Sequence, residues 1–449
     1  MNEIISKEKK QYIENHKKSQ KLWKESQKIF PAGVSHNIRD FNMSTLNLWP
    51  PFIQNAKGSH IFDVDNNDYL DYWITHGSAI LGHAPEAVQQ AIKKQLPKGN
   101  HYGMVNEHAV NLAKKIIHAT PSIKELRFCS TGTEATMYAS HLARAYTNKK
   151  TILKIKGGWH GGNDTLFYFV KHFKNGIETQ GIRSVEEANI LTFQYNDVNM
   201  FRSLLKQHKK DIAAVVMEPV MGAGGTIKPE NDFLKIIREE TLQNDILLIF
   251  DEIITGFRLS FHSGQGYFGV NPDITTLGKI VGGGAPIGVI GGREDILEQA
   301  NLLEGGKVWI GGGTFSGNPI SMVAGKAIID TLEKQKDSLY SRLNKLGEKL
   351  RNGIRQIIKD YNIPATVTGI GSMSSFHWLK KKPRKKPVNS SEIFEKLDSK
   401  KSAYNQLLMF NRGILVRGGL GYLSAAHQPN DVEKTIKTIR ECTELLSKI

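Results

Sequence analysis

Two residues carry recognisable chemistry by type and surroundings, Asp251 and Lys279. Asp251 closes residues 246–250, a short continuous apolar run of the kind that forms a strand buried on both faces. Side chains at the carboxyl end of a parallel strand point into the crevice where open α/β sheets bind ligands. Lys279 follows a second short run, 273–277, and precedes Gly282, Gly283 and Gly284. Glycine gives the backbone room for another group to approach, so a lysine in that setting reads as placed for a ligand. A lysine amine forms a Schiff base with an aldehyde, and a carboxylate can hold a pyridine nitrogen protonated. Together they are a protein's usual contribution to a pyridoxal phosphate site. Taken singly, each has a plain alternative: a strand-end cap and a solvated surface lysine.

A helix N-terminus supplies a second element. Ser130-Thr131-Gly132-Thr133-Glu134-Ala135 follows a strand-like run and opens a helical one. Backbone amides there, with Gly allowing close approach and hydroxyls adding donors, form an anion site. The plain alternative is a threonine N-cap that serves only the helix. Trp159, in Gly157-Gly158-Trp159-His160-Gly161-Gly162, is a flat ring able to stack on a heterocycle or simply to pack.

Three stretches together are similar to one family: 251–258 (Asp-Glu-Ile-Ile-Thr-Gly-Phe-Arg), 264–273 (Gly-Gln-Gly-Tyr-Phe-Gly-Val-Asn-Pro-Asp) and 275–284 (Thr-Thr-Leu-Gly-Lys-Ile-Val-Gly-Gly-Gly). In order and spacing they resemble the class III (subgroup II) pyridoxal phosphate-dependent aminotransferases, and within these the glutamate-1-semialdehyde aminomutases. The resemblance covers nearly all of the chain and is weakest from about residue 375 to 420. It implies pyridoxal 5′-phosphate on Lys279 and Asp251 as partner of the ring nitrogen. Thr131, Gly132 and Thr133 then match the family's phosphate cup, Trp159 stands where Tyr or Phe is usual, and His160, Glu218 and Ile253 line the cofactor. Residues 311–319 (Gly-Gly-Gly-Thr-Phe-Ser-Gly-Asn-Pro) resemble a loop whose threonine, here Thr314, reaches the phosphate held by a neighbouring subunit. A homodimer with shared sites is the expectation. Arg39 matches an arginine that binds the substrate carboxylate, a role suited to a planar guanidinium, and Arg417 is a second candidate.

Two positions depart from the mutase pattern. Glu218-Pro219-Val220-Met221-Gly222 is followed by Ala223 where mutases have Asn, and alignment on Ser424-Ala425-Ala426-His427 puts Gly419 where they have Glu. The residues therefore read as an aminotransferase that moves an amino group between an amino acid or amine and a keto acid. The alternative is glutamate-1-semialdehyde 2,1-aminomutase or a related mutase. A remote alternative is a non-catalytic basic binding protein.

That remote reading comes from charge alone. The 449 residues carry a formal net charge of +16, yet the lysines are scattered and no nucleic-acid-binding motif accompanies them. The one dense cluster, 380–387 (Lys-Lys-Lys-Pro-Arg-Lys-Lys-Pro), has two prolines and no aromatic and reads as a solvated loop. Neither a nucleic acid nor a membrane partner is expected. No run of about eighteen apolar residues occurs, the N-terminal stretch lacks an apolar signal core, and two distant cysteines, Cys129 and Cys442, make neither a disulfide framework nor a metal site. No metal is expected, and the cytoplasm is the default location.

The elements that must hold these groups alternate. Apolar runs at 125–129, 151–155, 189–193, 212–217, 246–250, 274–277 and 286–290 predict strands, with helix-period segments between most of them. That pattern is α/β: a large domain with a mainly parallel sheet flanked by helices, at 85–335. The resemblance makes it a fold-type I transferase. A helix at about 8–29 and a hairpin at 60–73 (within 1–84) are expected to join a smaller α+β domain at 336–449. That domain should hold helices at 391–411 and 431–447 and a strand at 413–416.

Overall fold

The protein is described from a computed structural model covering residues 3–170, 179–419 and 421–449. The chain divides into two compact units. One comprises Glu86–Tyr340 and Pro387–Glu395, the other Met1–Pro85, Ser341–Lys386 and Lys396–Ile449.

The first unit is built on a seven-stranded sheet. Its order is Glu125–Cys129, Gly288–Gly292, Ile274–Gly278, Leu247–Asp251, Ile212–Met217, Thr151–Ile155, Ile190–Phe193. Gly288–Gly292 runs antiparallel to both its neighbours and the other pairings are parallel. The continuous apolar run at the centre has a simple cause. Leu247 and Ile249 face one apolar cluster with Ala135, Ala139 and Leu142 of helix Gly132–Thr147. Leu248 and Phe250 face the other, with Phe201 of helix Val198–His208 and Phe233 and Ile237 of helix Phe233–Gln243. Alternate side chains of one strand thus enter two cores, and no polar face is left to mark the period. Gly288 must be glycine, because a Cβ there would run into the Thr131 carbonyl oxygen and Cys129 Sγ.

The second unit holds a four-stranded sheet, Ile53–Lys57, His60–Asp63, Asp68–Asp71 and Ile414–Leu415. The middle two form the expected hairpin, and Ile414–Leu415 joins Asp68–Asp71 in parallel. Ala365–Ile370 and Met373–Trp378 make a separate antiparallel pair. Helices Ser399–Asn411 and Pro429–Ser447 also belong to this unit.

Three expectations about elements need correction. The single N-terminal helix is two, Glu3–Asn15 and Lys17–Ile29. His16 leaves helical geometry between them, its ring stacked on Tyr12 at 3.8 Å and its Nδ1 2.7 Å from the Tyr12 carbonyl oxygen. The second helix is capped from a distance, with the Lys18 and Ser19 N–H groups donating to Asp65 at 2.6 and 2.9 Å. The helix expected at 391–411 is likewise two, Ser390–Phe394 and Ser399–Asn411, and Asp398 caps the latter through the Lys401 N–H at 2.9 Å. Finally, Pro387–Glu395 packs with the first unit rather than with the C-terminal region. Asn196 Nδ2 donates to the Val388 carbonyl oxygen at 2.8 Å and Gln194 Nε2 to Ser391 Oγ at 2.9 Å.

Candidate active site

Three adjacent strands of the large sheet deliver the chemistry at their carboxyl ends. Ile212–Met217 is followed by Glu218, Leu247–Asp251 ends in Asp251, and Ile274–Gly278 is followed by Lys279. A parallel sheet brings such ends into one row, which is why residues far apart in sequence meet there.

Asp251 is buried and held on both oxygens. Oδ2 lies 2.8 Å from His160 Nδ1, while Oδ1 accepts from the Ile253 N–H at 3.1 Å and Thr276 Oγ1 at 3.3 Å. With a carboxylate as acceptor, Nδ1 carries the imidazole proton. His160 Nε2 is buried without a hydrogen-bond partner. Burial pushes the His160 pKa down, against the opposing pull of Asp251.

Lys279 is half-buried, and its backbone adopts φ +48°. A left-handed conformation at a side-chain-bearing residue costs about 1–2 kcal/mol. Burial pushes the ammonium pKa below the ordinary lysine value, while the charges of Asp251 and Glu218 oppose that and Arg258 reinforces it. The glycines that drew attention to this lysine serve a different purpose. A Cβ on Gly283 would stand 2.7 Å from the Ala324 carbonyl oxygen, and one on Gly282 would stand 2.9 Å from Ile287 Cγ2. They admit the protein's own packing, and only Gly284 faces open space.

Glu218 is buried with Oε2 accepting the Gly222 N–H at 2.9 Å and Oε1 unpartnered. Burial first, and the neighbouring Asp251 second, push its carboxyl up to about 8.

The turn at 130–134 is both a cap and a cradle. Glu134 Oε2 accepts the N–H groups of Ser130 and Thr131, each at 2.8 Å, and Thr131 Oγ1 accepts the Glu134 N–H at 3.2 Å. The N–H groups of Gly132 and Thr133 make no hydrogen bond among the described residues. These two amides are free to donate to an anion, and Thr131 serves as the N-cap. Gly132 leaves room for Ile253, whose Cδ1 would collide with a Cβ there. Trp159 is partly exposed, its ring meeting the edge of Phe167 at 5.3 Å and 87°. Thr314 is exposed on a loop whose Gly313 runs against Ser130 and Glu134 of the same chain.

Lys154 escaped the sequence reading. It is fully buried and donates to the carbonyl oxygens of Gly158, Leu166 and Tyr168 at 3.1, 2.9 and 2.7 Å, pinning the segment that carries Trp159 and His160. Its signal was available: a lysine inside the apolar run 151–155. Thr276 and Arg258 gave no comparable signal.

Arg39 and Arg417 lie in the other unit. Arg39 is exposed on the turn Asn37–Asp40, and Arg417 Nε donates to the Ile38 carbonyl oxygen at 3.2 Å, so the two candidates share one neighbourhood. Gly419 packs against the main chain of the neighbouring strand. A Cβ there would lie 2.7 Å from the Phe376 carbonyl oxygen. Among the described residues no cluster of metal-ligating side chains occurs, and no helix is long and apolar enough to cross a membrane.

The family profile described as aminotransferase class-III matches residues 43–401. The glutamate-1-semialdehyde 2,1-aminomutase of Methanococcoides burtonii is 41% identical over 430 residues, which cover 94% of this chain and 97% of that protein. The enzyme of the same name from Bacillus subtilis is 37% identical over 446 residues, covering 97% and 100%. Among solved structures, an omega-transaminase from Sphaerobacter thermophilus superposes with a TM-score of 0.86 at 29% identity, covering 95% of this chain and 97% of that one.

Proposed function

The chain belongs to the class III aminotransferases, and from that premise we propose that it is a glutamate-1-semialdehyde 2,1-aminomutase, an enzyme that relocates an amino group within one substrate. What supports this reading is the near-full-length similarity to two enzymes of that name. The preference for an intermolecular transferase drawn from Ala223 and Gly419 gives way on two grounds. Those relatives carry the mutase name, and Gly419 backs onto the Phe376 main chain, so it does not report on a substrate pocket.

The cofactor is pyridoxal 5′-phosphate, as in the family. The residues present fit it. Two free amides at a helix start suit its phosphate, and the half-buried Lys279 amine suits its aldehyde. The Asp251 carboxylate suits the ring nitrogen, and the buried unpartnered atoms of His160 and Glu218 leave polar capacity beside it. When bound, this cofactor withdraws electrons from the carbon that bears the amine. Lys279 would hold its aldehyde, and the lysine amine would serve as the base and acid that moves a proton at the reacting carbon. Asp251 holds the ring-nitrogen proton throughout, and His160 fixes the carboxylate that does so. Trp159 offers a ring face for stacking.

The partner is a second copy of the chain. Met104, Val105, Trp309 and Phe315 are 75, 96, 75 and 62% exposed, an apolar load that a solvated surface rarely carries. His101 and Phe315 rings lie 5.4 Å apart and Asn106 Nδ2 donates to the Gly317 carbonyl oxygen at 2.9 Å, which joins the two segments into one face. Thr314 lies on that face and would serve the partner's phosphate.

One observation favours the second reading, intermolecular transfer. Ala223 is exposed beside Gly222 and offers no polar group to retain a deaminated product. The experiment is incubation with glutamate-1-semialdehyde and no keto acid. Sustained formation of 5-aminolevulinate supports the mutase. Arrest after about one product per site, relieved by pyruvate or 2-oxoglutarate, would install the transferase in its place.

A further inference from the structure

A cavity of about 220 Å³ lies within the large-sheet unit, beside helix Gly132–Thr147. Polar side chains from three segments line most of it. His141 and Arg144 come from the helix, three residues apart and so on one face. Asn163, Asp164 and Thr165 come from the turn after His160, and Arg183 from the stretch before strand Ile190–Phe193. None of Lys279, Asp251, Glu218 or Trp159 lines this cavity.

The walls are held in place by neutral groups. Asn163 Oδ1 accepts the N–H groups of Thr165 and Leu166, each at 3.1 Å, and its Nδ2 donates to Thr136 Oγ1 at 3.3 Å, which pins the turn to the helix. Arg144 Nε donates to the Lys150 carbonyl oxygen at 2.7 Å, its Nη2 to that of Ala188 at 3.1 Å, and its Nη1 lies 3.5 Å from Thr165 Oγ1. No carboxylate pairs with Arg144 or Arg183 among the described residues. Glu187, the acid that feels the Arg183 charge, is committed to a helix cap, where it accepts the Ser184 N–H at 2.9 Å.

Asp164 is the one acid among the lining residues, so two guanidinium charges leave one positive charge unmatched. Burial, and then the Arg183 charge, pushes the Arg144 pKa below the ordinary arginine value. Like charges held on one cavity raise each other's energy, and an anion between them relieves it. Burial, and then Arg144, pushes the His141 pKa below the ordinary histidine value, which favours a neutral ring with one N–H to donate.

We infer that this cavity binds the phosphate group of a small metabolite, between Arg144 and Arg183. Thr165 and His141 add neutral donors, and Asp164 accepts the proton that a phosphate monoanion carries. Donors arriving from three segments match the several oxygens of a tetrahedral phosphate, whereas one guanidinium fork already fills a planar carboxylate. The volume is several times the roughly 30 Å³ that one water takes in the liquid, which leaves room for an organic remainder. Nothing in this site depends on the reaction proposed above.

The test is calorimetric titration of the holoenzyme, whose own cofactor phosphate is already in place. Inorganic phosphate, sulfate and acetate are compared at fixed ionic strength and a pH of about 6, where phosphate retains a proton and sulfate has none. Wild type should bind phosphate more tightly than either sulfate or acetate. Arg183→Gln and Arg144→Gln should each weaken phosphate binding about tenfold or more, with the visible absorption of the cofactor unchanged. Arg183 is exposed and bonds nothing through its guanidinium among the described residues, so its variant keeps the fold even if Arg144→Gln does not. Asp164→Asn should bring sulfate to within about threefold of phosphate, because the acid repels an anion that has no proton to share. Phosphate affinity unchanged in Arg183→Gln, or no phosphate binding by wild type below about 10 mM, would overturn the site. Sulfate or acetate bound as tightly as phosphate by wild type would overturn its assignment to a phosphate group.

Discussion

His160 Nδ1 and Asp251 Oδ2 are 2.8 Å apart across a sequence separation of 91 residues, both buried at the sheet's ligand end. The pair joins the segment after strand Thr151–Ile155 to the end of strand Leu247–Asp251. It makes the imidazole a positioning group for the carboxylate that faces the ring nitrogen in the proposed mechanism.

Asp251→Asn should therefore retain cofactor and lose rate by at least about a hundredfold, because a neutral amide does not stabilise the ring-nitrogen proton. His160→Gln, which keeps a donor, should lose only about tenfold. Rates of the half-reaction, with cofactor content measured beside them, check both. An Asp251→Asn enzyme of wild-type speed would move the proton-holding role to another residue.

Lys279→Ala should abolish turnover while the protein stays folded. The φ of +48° adds a second readout, since glycine takes this conformation freely and alanine does not. In the cofactor-free state Lys279→Gly should be more stable than Lys279→Ala by about 1 kcal/mol. Urea unfolding of the two variants measures this, and equal midpoints would argue against the strained backbone.

Glu218 gives a pH dependence with a definite sign. Its carboxyl is raised from 4.5 to about 8 by burial and by Asp251, so between those values the folded protein holds a proton that the unfolded chain has released. The associated stability is complete below pH 4.5, declines as pH rises across that window, and is lost above 8. Glu218→Gln does not titrate. The loss of stability between pH 6 and 9 in the cofactor-free protein should shrink in that variant, by an amount on the order of a few kcal/mol. Parallel pH profiles for the two proteins would show that Glu218 does not hold the proton.

The exposed apolar face predicts assembly. Val105→Asp combined with Trp309→Asp should shift the protein toward monomer in sedimentation and reduce activity with it, because charges placed in an interface core oppose its burial. Thr314→Ala should weaken cofactor retention without changing the assembly. A fully active wild-type monomer at assay concentration would remove the shared-site arrangement.

The sequence by itself determined the large sheet and the identity of its chemical groups. Strand Leu247–Asp251 was legible because each side chain is buried, so an unbroken apolar run ending in Asp is its only possible appearance. Thr131 as N-cap and Gly132 after it were legible because capping is local, set within four residues. Tertiary structure decided what depends on distant partners. The N-terminal helix breaks at His16, where Asp65 caps the next helix, and nothing in residues 8–29 encodes that carboxylate. The glycines after Lys279 looked like room for a ligand and prove to be room for the Ala324 carbonyl and Ile287, since a missing side chain does not say what fills its place. Gly419 answers in the same way to the Phe376 main chain, a packing that the sequence does not show. Sequence spacing fixes which groups a strand end can present. Only the packing of other elements fixes which of them are held, aimed or left without a partner.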